Sequence, residues 1–226
     1  MSNKCVYVFG PSKTEGAADM KNILGGKGAN LAEMCKLGIS VPPGLTISAE
    51  VCAVYTEKGA EAVRKLIEPE VLQGVAFVEK ELGKKFGDSA DPLLVSVRSG
   101  SRASMPGMMD TILNLGLNDE AVAGLIKKSG NERFAWDSYR RFIQMYGDVV
   151  MGLKPESKED HDPFEEIIDE IKEKKGVELD TQLSVDDLKH MVAEFKALIR
   201  TRLGREFPND PWEQLWGAII DRKSVV

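Results

Sequence analysis

The sequence predicts an α+β chain, in which a mixed unit of strands and helices is followed by a mainly helical unit. Short apolar runs alternate with segments of helical periodicity in the first third of the chain, a pattern typical of an α/β or α+β layer. From Asn118 onward, one amphipathic segment follows another. We therefore expect a mixed unit over 1–117, a helical unit over 118–200, and a last segment over 201–226 that returns to the first unit.

The composition is that of an ordinary globular protein. The chain has 226 residues, of which 42% are hydrophobic and 29% are charged. Its formal net charge of −6 argues against broad binding to nucleic acid or to an anionic membrane. Any site for an anion must therefore arise from cationic side chains that are concentrated locally.

The cysteines and the first residues of the chain indicate a reducing compartment. Cys5, Cys35 and Cys52 show no CxxC spacing, and the last two lie among apolar neighbours, so we interpret those two as small core residues. No apolar run approaches the roughly 18 residues that a membrane span needs. The N-terminus also lacks the apolar core of a signal peptide. We expect a cytoplasmic protein that binds neither membranes nor nucleic acid.

Strands and helices alternate in the first unit. Short apolar runs bounded by turn-forming or charged residues predict three strands, at Val6–Phe9, Gly44–Ile47 and Pro92–Val97. Between the first two runs, a helical segment ends at Gly38, a residue type favoured after helix C-termini. Ser48 is expected to cap a second helix through Tyr55, and a third helix is predicted over about 60–82. The predicted apolar face of the first helix consists of Leu31, Met34 and Cys35.

Capping signals define the helices of the second unit. Asp162 followed by Pro163 predicts a helix start, and Gly176 predicts the end of that helix. A further helix is expected to begin at Ser184, with Asp187 three residues later. An earlier helix carries aromatic and aliphatic residues at helical spacing, which predict its buried face: Phe134, Tyr139, Phe142, Ile143 and Tyr146.

The first candidate site is the segment NILGGKGANLAEM, in which paired glycines and Lys27 open a helix. A glycine-rich turn into a helix exposes backbone N–H groups at the positive end of the helix dipole. A lysine there adds a charge that can reach a phosphate oxygen. The segment lacks the GxxxxGK[ST] pattern of a P-loop, so a flexible turn with a solvated lysine is the alternative interpretation.

The second candidate site is the segment SVRSGSRASMPGMMDTILNLG, which directly follows an apolar run. Arg98 lies at the end of the predicted strand, and Arg102 follows in a loop rich in Gly and Ser. Guanidinium groups bind phosphate oxygens through two parallel hydrogen bonds, and glycines let the backbone come close. The alternative is that both arginines pair with carboxylates such as Asp110 or Asp119. The methionines of the loop indicate an apolar wall that also suits a purine ring: Met105, Met108 and Met109.

No metal site and no nucleophile is predicted in the chain. Neither His161 nor His190 has a Cys, His or carboxylate at the spacing of metal ligands. The sequence contains no GxSxG motif and no cysteine with an evident histidine partner.

Together these segments resemble the N-terminal part of the pyruvate, phosphate dikinase family. The similar stretches are MKNILGGKGANLAEMCKLGISVPPGLTIS, DPLLVSVRSGSRASMPGMMDTILNLGLND and RFAWDSYRRFIQMYGDVV, and the resemblance covers about residues 5–218. The phosphoenolpyruvate synthases are a related family that usually carries a VRSSATAEDLP-type loop. The segment GSRASMPGMMDT therefore favours the dikinases.

The resemblance implies part of an ATP-grasp fold with a helical subdomain that binds Mg-ATP. In that family the β-phosphoryl group of ATP passes to a histidine on a separate swivelling domain, and the γ-phosphoryl group passes to inorganic phosphate. The net reaction interconverts ATP, phosphate and pyruvate with AMP, diphosphate and phosphoenolpyruvate. By motif position, Lys27 and Arg98 would clamp the triphosphate during catalysis. Gly107 and Thr111 would belong to a loop over it, with Ile112 next to the nucleotide.

Other parts of the family pattern are expected outside these 226 residues. They are the acidic Mg²⁺ ligands, the phosphohistidine domain and the pyruvate-binding domain, and the complete enzyme is expected to be a homodimer. The chain alone is therefore expected to lack activity, as a shortened or split gene product would. The alternatives are a phosphoenolpyruvate synthase segment, a non-catalytic module for ATP or protein binding, and a product without function. The last of these would expose the apolar residues Trp212, Trp216, Ile219 and Ile220.

Overall fold

The computed structural model describes residues 4–99, 111–155, 157 and 160–220, and these divide into two units. The described residues of the first unit are 4–86, 98, 99 and 111, and those of the second are 87–97, 112–155, 157 and 160–220. Helices and small sheets occur in the same chain, which confirms the α+β fold class. The predicted division at residues 117 and 200 stays a prediction.

An antiparallel pair of strands lies in the first unit. It consists of β1 (Val6–Phe9) and β2 (Gly44–Ile47), and both strands have the predicted bounds. Phe9 lies opposite Gly44 in the register. A Cβ atom at Gly44 would lie 2.5 Å from the Phe9 ring, so the pair accommodates the aromatic side chain only because glycine stands opposite it.

The first helix, α1 (Lys21–Lys36), contacts both strands of this pair. Gly25 interrupts the helix with a φ of 69°, a conformation that favours glycine. Three residues later, Gly28 brings α1 close to β2, because a Cβ atom there would lie 2.6 Å from Thr46 Cγ2. Two glycines thus shape the segment that the sequence analysis selects as a candidate site.

The buried face of α1 differs from the predicted one. Met34 is exposed, and Leu31 and Cys35 are only half-buried, so the predicted apolar face is wrong. The side of the helix that is buried carries mostly small residues: Leu24, Gly25, Gly28, Ala29 and Ala32. Small residues let the helix axis approach the strands closely, and the spacing of large apolar residues does not reveal that face.

The second helical segment, α2 (Glu50–Leu82), consists of two helices that meet at a kink at Gly59, where the φ is 78°. The two helices predicted here are therefore the two sides of one glycine interruption. The predicted cap at Ser48 is wrong: Ala49 already has helical backbone angles, and within the described part of the chain Ser48 Oγ has no hydrogen-bond partner. The helix is instead tied to β1 through Glu70, whose Oε2 accepts hydrogen bonds from two N–H groups at the start of that strand.

None of the three cysteines forms a disulfide bond within the described residues. Cys5 is buried, whereas Cys35 and Cys52, which the sequence places in the core, are only half-buried. Burial raises the pKa of the Cys5 and Cys52 thiols and so keeps them protonated and weakly reactive.

A second two-stranded sheet is formed by β3 (Val95–Arg98) and β4 (Thr111–Leu115). β3 begins at Val95 and not at Pro92, which corrects the predicted strand start. Pro92 has no N–H group to donate to a strand ladder and forms only an isolated bridge, and the two residues after it belong to no strand.

Helices make up most of the second unit. They are α3 (Ala121–Ser129), α4 (Glu132–Val149), α5 (Pro163–Lys175), α6 (Val185–Leu203) and α7 (Pro211–Ile220). The predicted cap of α5 is confirmed, since the Asp162 carboxylate accepts hydrogen bonds from the first N–H groups of that helix. Ser184 and Asp187 form a reciprocal capping box at the start of α6, as predicted.

The core of the second unit includes the packing of α4 against α6. Phe142 and Tyr146 of α4 pack edge-to-face with Phe207, at ring-centroid distances of 5.6 and 5.5 Å. The predicted buried face of α4 is correct except at Phe134, which is 50% exposed. None of the helices in the described ranges is both long and apolar enough to cross a membrane.

The last helix is anchored within the second unit by a buried amide. Gln214 Nε2 donates to the carbonyl groups of Leu117 and Pro208, both at 2.9 Å, and Gln214 Oε1 accepts from the N–H of Gly116 at 3.0 Å. Trp216 is buried as well. The exposure of Trp216 that a product without function would show is therefore not observed.

Candidate functional site

The glycine-rich segment of the first unit contains a break at Gly25, after which α1 continues to Lys36. The first N–H groups after such a break have no helical carbonyl four residues earlier, and they lie at the positive end of the following helix dipole. Lys27 lies in this first turn with an exposed side chain. Backbone donors and a lysine charge therefore occur together in this turn.

Lys27 contacts the second candidate segment. Its Nζ donates a hydrogen bond of 3.3 Å to the backbone carbonyl of Ser99, across 72 residues of sequence. Ser99 directly follows Arg98, the last residue of β3, and all three residues belong to the first unit. The fold thus brings the lysine of the first candidate segment to the residue next to the arginine of the second.

Lys27 and Arg98 are exposed, and neither forms an ion pair with another described residue. The carboxylate of Glu15, in the same unit, binds Lys4 at 2.7 Å and Lys13 at 2.6 Å. Burial of Glu15 raises the pKa of its carboxyl, but hydrogen bonds from these two lysines outweigh that effect and lower the pKa to about 2. Glu15 is therefore matched with its own cations, whereas no described carboxylate pairs with Lys27 or Arg98.

Asp110 and Asp119 are the carboxylates that the alternative interpretation pairs with the arginines, and the structure describes only Asp119. Within the second unit, Asp119 accepts a hydrogen bond from the Tyr139 hydroxyl at 3.0 Å and forms an ion pair with Lys196 at 2.5 Å. Burial, together with the charge of Asp119, raises the pKa of Tyr139. Asp119 is thus occupied by partners from its own unit. Asp110 and Arg102 lie outside the described residues.

Ser99 is a candidate that the sequence analysis does not single out. Its side chain is only 3% exposed, and its hydroxyl has no hydrogen-bond partner among the described residues. The serine follows a strand-end arginine in a segment rich in Gly and Ser, which is a weak signal in the sequence. Its burial and its contact with Lys27 depend on tertiary structure, so only the fold distinguishes it from the neighbouring serines.

The other predicted site residues have different surroundings. Thr111 is half-buried at the start of β4. Ile112 follows it, belongs to the second unit and is fully buried. Gly107 lies outside the described residues, as do Met105, Met108 and Met109. The nucleotide roles assigned to Lys27, Arg98, Gly107, Thr111 and Ile112 stay predictions.

Metal-binding side chains are not clustered in the part of the chain that the structure describes. No group of three or more His, Cys, Asp or Glu residues there could hold a metal ion. The site described above consists of cationic and hydroxyl donors, which suit the oxygens of an anion and not a metal cation.

Part of the chain matches the model of a known protein family. The model of the family described as "Pyruvate phosphate dikinase, AMP/ATP-binding domain" matches residues 21–71 and 60–141. The two matched ranges overlap and together cover more than half of the chain. Lys27 lies in the first range, and Arg98 and Ser99 lie in the second.

The chain is also similar to curated relatives from bacteria and plants. It is 55% identical over 216 residues to the pyruvate, phosphate dikinase of Rhizobium meliloti (strain 1021). The aligned region covers 96% of this chain and 23% of that protein. It is 55% identical over 217 residues to the pyruvate, phosphate dikinase of Clostridium symbiosum, again 96% of this chain but 24% of the relative. The chloroplastic pyruvate, phosphate dikinase of Mesembryanthemum crystallinum is 54% identical, with 22% of its length covered. The chain thus spans about a quarter of the length of these relatives.

Proposed function

The chain belongs to the family of the pyruvate phosphate dikinase AMP/ATP-binding domain, and on that premise we propose that its first unit binds the triphosphate of ATP. Lys27 and Arg98 are the proposed phosphate-clamping residues. The observation that carries the proposal is the hydrogen bond from Lys27 to Ser99, because it puts the glycine-rich turn beside the residue that follows Arg98.

The two cations have different chemical roles in this proposal. The planar Arg98 guanidinium can donate two parallel hydrogen bonds to phosphate oxygens and so orient the group. The Lys27 ammonium supplies a compact charge on a flexible stem. Phosphoryl transfer depends mainly on positioning and on stabilising the negative charge of the transferred group, and these two side chains are suited to both tasks.

The remaining predicted residues complete the proposed nucleotide site. Gly107 and Thr111 are proposed to belong to a loop that closes over the triphosphate, with Ile112 next to the nucleotide. These assignments follow the motif that the chain shares with the family. Their support is that residues 60–141 fall within the family match.

We propose for the complete enzyme the reaction that the resemblance to the dikinase family implies. In it, ATP supplies a phosphoryl group to a histidine on another domain, and pyruvate, phosphate and ATP are interconverted with phosphoenolpyruvate, diphosphate and AMP. The proposed partners of the chain are ATP and the phosphohistidine and pyruvate-binding domains, within a homodimeric cytoplasmic enzyme. The chain alone is proposed to bind nucleotide without completing this reaction.

Magnesium is expected to accompany ATP in this family. The described residues do not fit a magnesium site of their own, since the donors near Lys27 are cations, N–H groups and a hydroxyl, and no acidic cluster lies among them. No step is therefore assigned to the metal. The residues of this chain bind and orient phosphate oxygens.

A phosphoenolpyruvate synthase segment is the competing enzyme function. The GSRASMPGMMDT segment and the names of the curated relatives both favour the dikinase. The two reactions differ in the acceptor of the γ-phosphoryl group, which is inorganic phosphate in a dikinase and water in a synthase. A phosphate requirement for turnover, measured in a full-length protein that contains this chain, would separate them.

Calorimetric titration of Mg-ATP into the 226-residue chain tests the proposed function. We expect binding with a Kd below about 1 mM, weakened at least about tenfold by Arg98→Ala. Adenosine serves as a control ligand without phosphates, and its affinity is expected to be the same for both proteins. A folded wild-type chain that releases no heat with Mg-ATP, or an Arg98→Ala variant of equal affinity, contradicts the proposal.

A further inference from the structure

We propose that the Ser99 hydroxyl donates a hydrogen bond to a phosphate oxygen of the bound nucleotide, beside the Lys27 and Arg98 contacts. This inference rests on the proposed function, because it concerns the same site. It assigns a direct ligand contact to a residue that neither the sequence analysis nor the family match identifies.

The Ser99 hydroxyl is buried, and the described chain does not satisfy its hydrogen bonding. Ser99 is 3% exposed, and Ser99 Oγ has no hydrogen-bond partner within the described ranges. Burial removes the hydrogen bonds that a serine hydroxyl makes with water, so a buried hydroxyl normally acquires a partner in the folded protein. Ser99 Oγ can therefore donate a hydrogen bond that no described residue accepts, and a bound group can accept it.

Two cationic residues lie next to Ser99, one in space and one in sequence. The Lys27 ammonium lies 3.3 Å from the backbone carbonyl of the same serine, and Arg98 is the preceding residue. No described carboxylate neutralises either cation. A group that enters beside two such cations is an anion, and a charged oxygen accepts a shorter and stronger hydrogen bond from a hydroxyl than water does.

A matched control is present in the same unit. Ser48 is fully buried, and its hydroxyl also has no partner among the described residues. No hydrogen bond or ion pair links Ser48 to a described Lys or Arg; its N–H donates to the Cys5 carbonyl. The two serines thus share burial and a missing partner, and they differ in the neighbouring cation.

The experiment compares Ser99→Ala and Ser48→Ala with the wild-type chain. The Kd values for Mg-ATP and for inorganic tripolyphosphate are measured by calorimetry, and the Tm is measured without ligand. We expect Ser99→Ala to weaken both ligands roughly 10- to 100-fold, the range for a lost hydrogen bond to a charged group. Because the substitution removes a hydroxyl that has no partner in the free protein, the Tm should stay equal or rise. Ser48→Ala should have the same effect on Tm and leave both Kd values unchanged.

The outcomes separate this inference from the proposed function. If the wild-type chain binds Mg-ATP and Ser99→Ala binds it equally well, the role of Ser99 is overturned and the proposed function stands. A lower Tm in Ser99→Ala, with or without weaker binding, assigns the hydroxyl to folding and also overturns the inference. If the wild-type chain binds neither ligand, the proposed function fails, and the inference fails with it.

Discussion

Lys27 and Ser99 are separated by 72 residues of sequence, yet the Lys27 ammonium donates a hydrogen bond of 3.3 Å to the Ser99 backbone carbonyl. The contact joins α1 to the residue that follows β3 within the first unit. A carbonyl is a neutral acceptor, so it positions the ammonium without cancelling its charge. A phosphate oxygen is the stronger acceptor for such a donor and can replace the carbonyl.

The first prediction concerns the geometry of the arginine. Arg98→Lys keeps the charge but loses the planar fork that binds two phosphate oxygens, so Mg-ATP affinity should fall roughly tenfold in calorimetric titration. Arg64→Lys is the control, because Arg64 pairs with Glu68 on the exposed surface of α2 and should leave the Kd unchanged. Equal affinities in wild type and Arg98→Lys would show that Arg98 acts as a simple charge or not at all.

The second prediction concerns the close packing of α1 on β2. In Gly28→Ala the new Cβ atom would lie 2.6 Å from Thr46 Cγ2 and 2.9 Å from Thr46 Oγ1. We expect the free energy of unfolding to fall by about 1–3 kcal/mol in urea, followed by far-UV circular dichroism, despite the better helix propensity of alanine.

A double-mutant cycle provides the control for this prediction. Thr46→Ala removes both of the threonine atoms that the new Cβ atom would meet. The loss caused by Gly28→Ala should therefore be smaller in the Thr46→Ala background. Strictly additive effects would mean that the close approach of Gly28 to Thr46 does not limit the packing.

The third prediction concerns the buried amide of α7. Gln214→Leu keeps much of the side-chain volume but leaves three backbone groups, on Gly116, Leu117 and Pro208, without their hydrogen-bond partner. The free energy of unfolding should fall by at least about 2 kcal/mol, since each buried group without a partner costs about 1–3 kcal/mol. Glu213→Leu, at an exposed neighbouring position, should cost less than about 1 kcal/mol. Similar losses in the two variants would contradict the anchoring role of Gln214.

The fourth prediction is a pH dependence of the second unit. Hydrogen bonds from Lys175 and then from Ser184 lower the pKa of the Asp187 carboxyl to about 2, below its usual value of 3.8. A carboxyl whose pKa is lower in the folded state stabilises the fold above its unfolded pKa. This stabilisation is lost as the pH falls from about 4 to about 2.

Unfolding in urea at several pH values, followed by tryptophan fluorescence, measures this effect. All three tryptophans lie in the second unit, so the signal reports on that unit. Asp187→Asn should be less stable at pH 7 by on the order of 1–2 kcal/mol and should lose less stability than the wild type between pH 4 and pH 2. Asp186→Asn, at an exposed neighbouring position, should keep the wild-type profile. An unchanged acid profile in Asp187→Asn would refute the assignment.

Local signals in the sequence predict much of the fold. The bounds of β1 and β2 follow from short apolar runs between turn residues, and the starts of α5 and α6 follow from side chains at Asp162 and Ser184 that bind N–H groups a few residues away. These features depend on neighbouring residues only. These features can therefore be predicted from the sequence without knowledge of the tertiary structure.

Features that depend on distant contacts are not predicted. The buried face of α1 consists mostly of small residues because Gly28 packs against Thr46 of another element, and a search for large apolar residues misses it. The cap expected at Ser48 fails because Ala49 is already helical. At the candidate site, residue type selects Lys27 and Arg98, but only the fold brings Lys27 to Ser99 and shows that the Ser99 hydroxyl is buried.

The most direct test of the central claim is calorimetric titration of Mg-ATP into the wild-type chain, Lys27→Ala and Lys36→Ala. Both lysines are exposed on α1, but Lys36 lies at the opposite end of the helix from the glycine-rich turn. If the turn binds the triphosphate, Lys27→Ala weakens the affinity at least about tenfold and Lys36→Ala leaves it unchanged. Equal affinity in all three proteins, or the same loss in both variants, contradicts a phosphate clamp at Lys27.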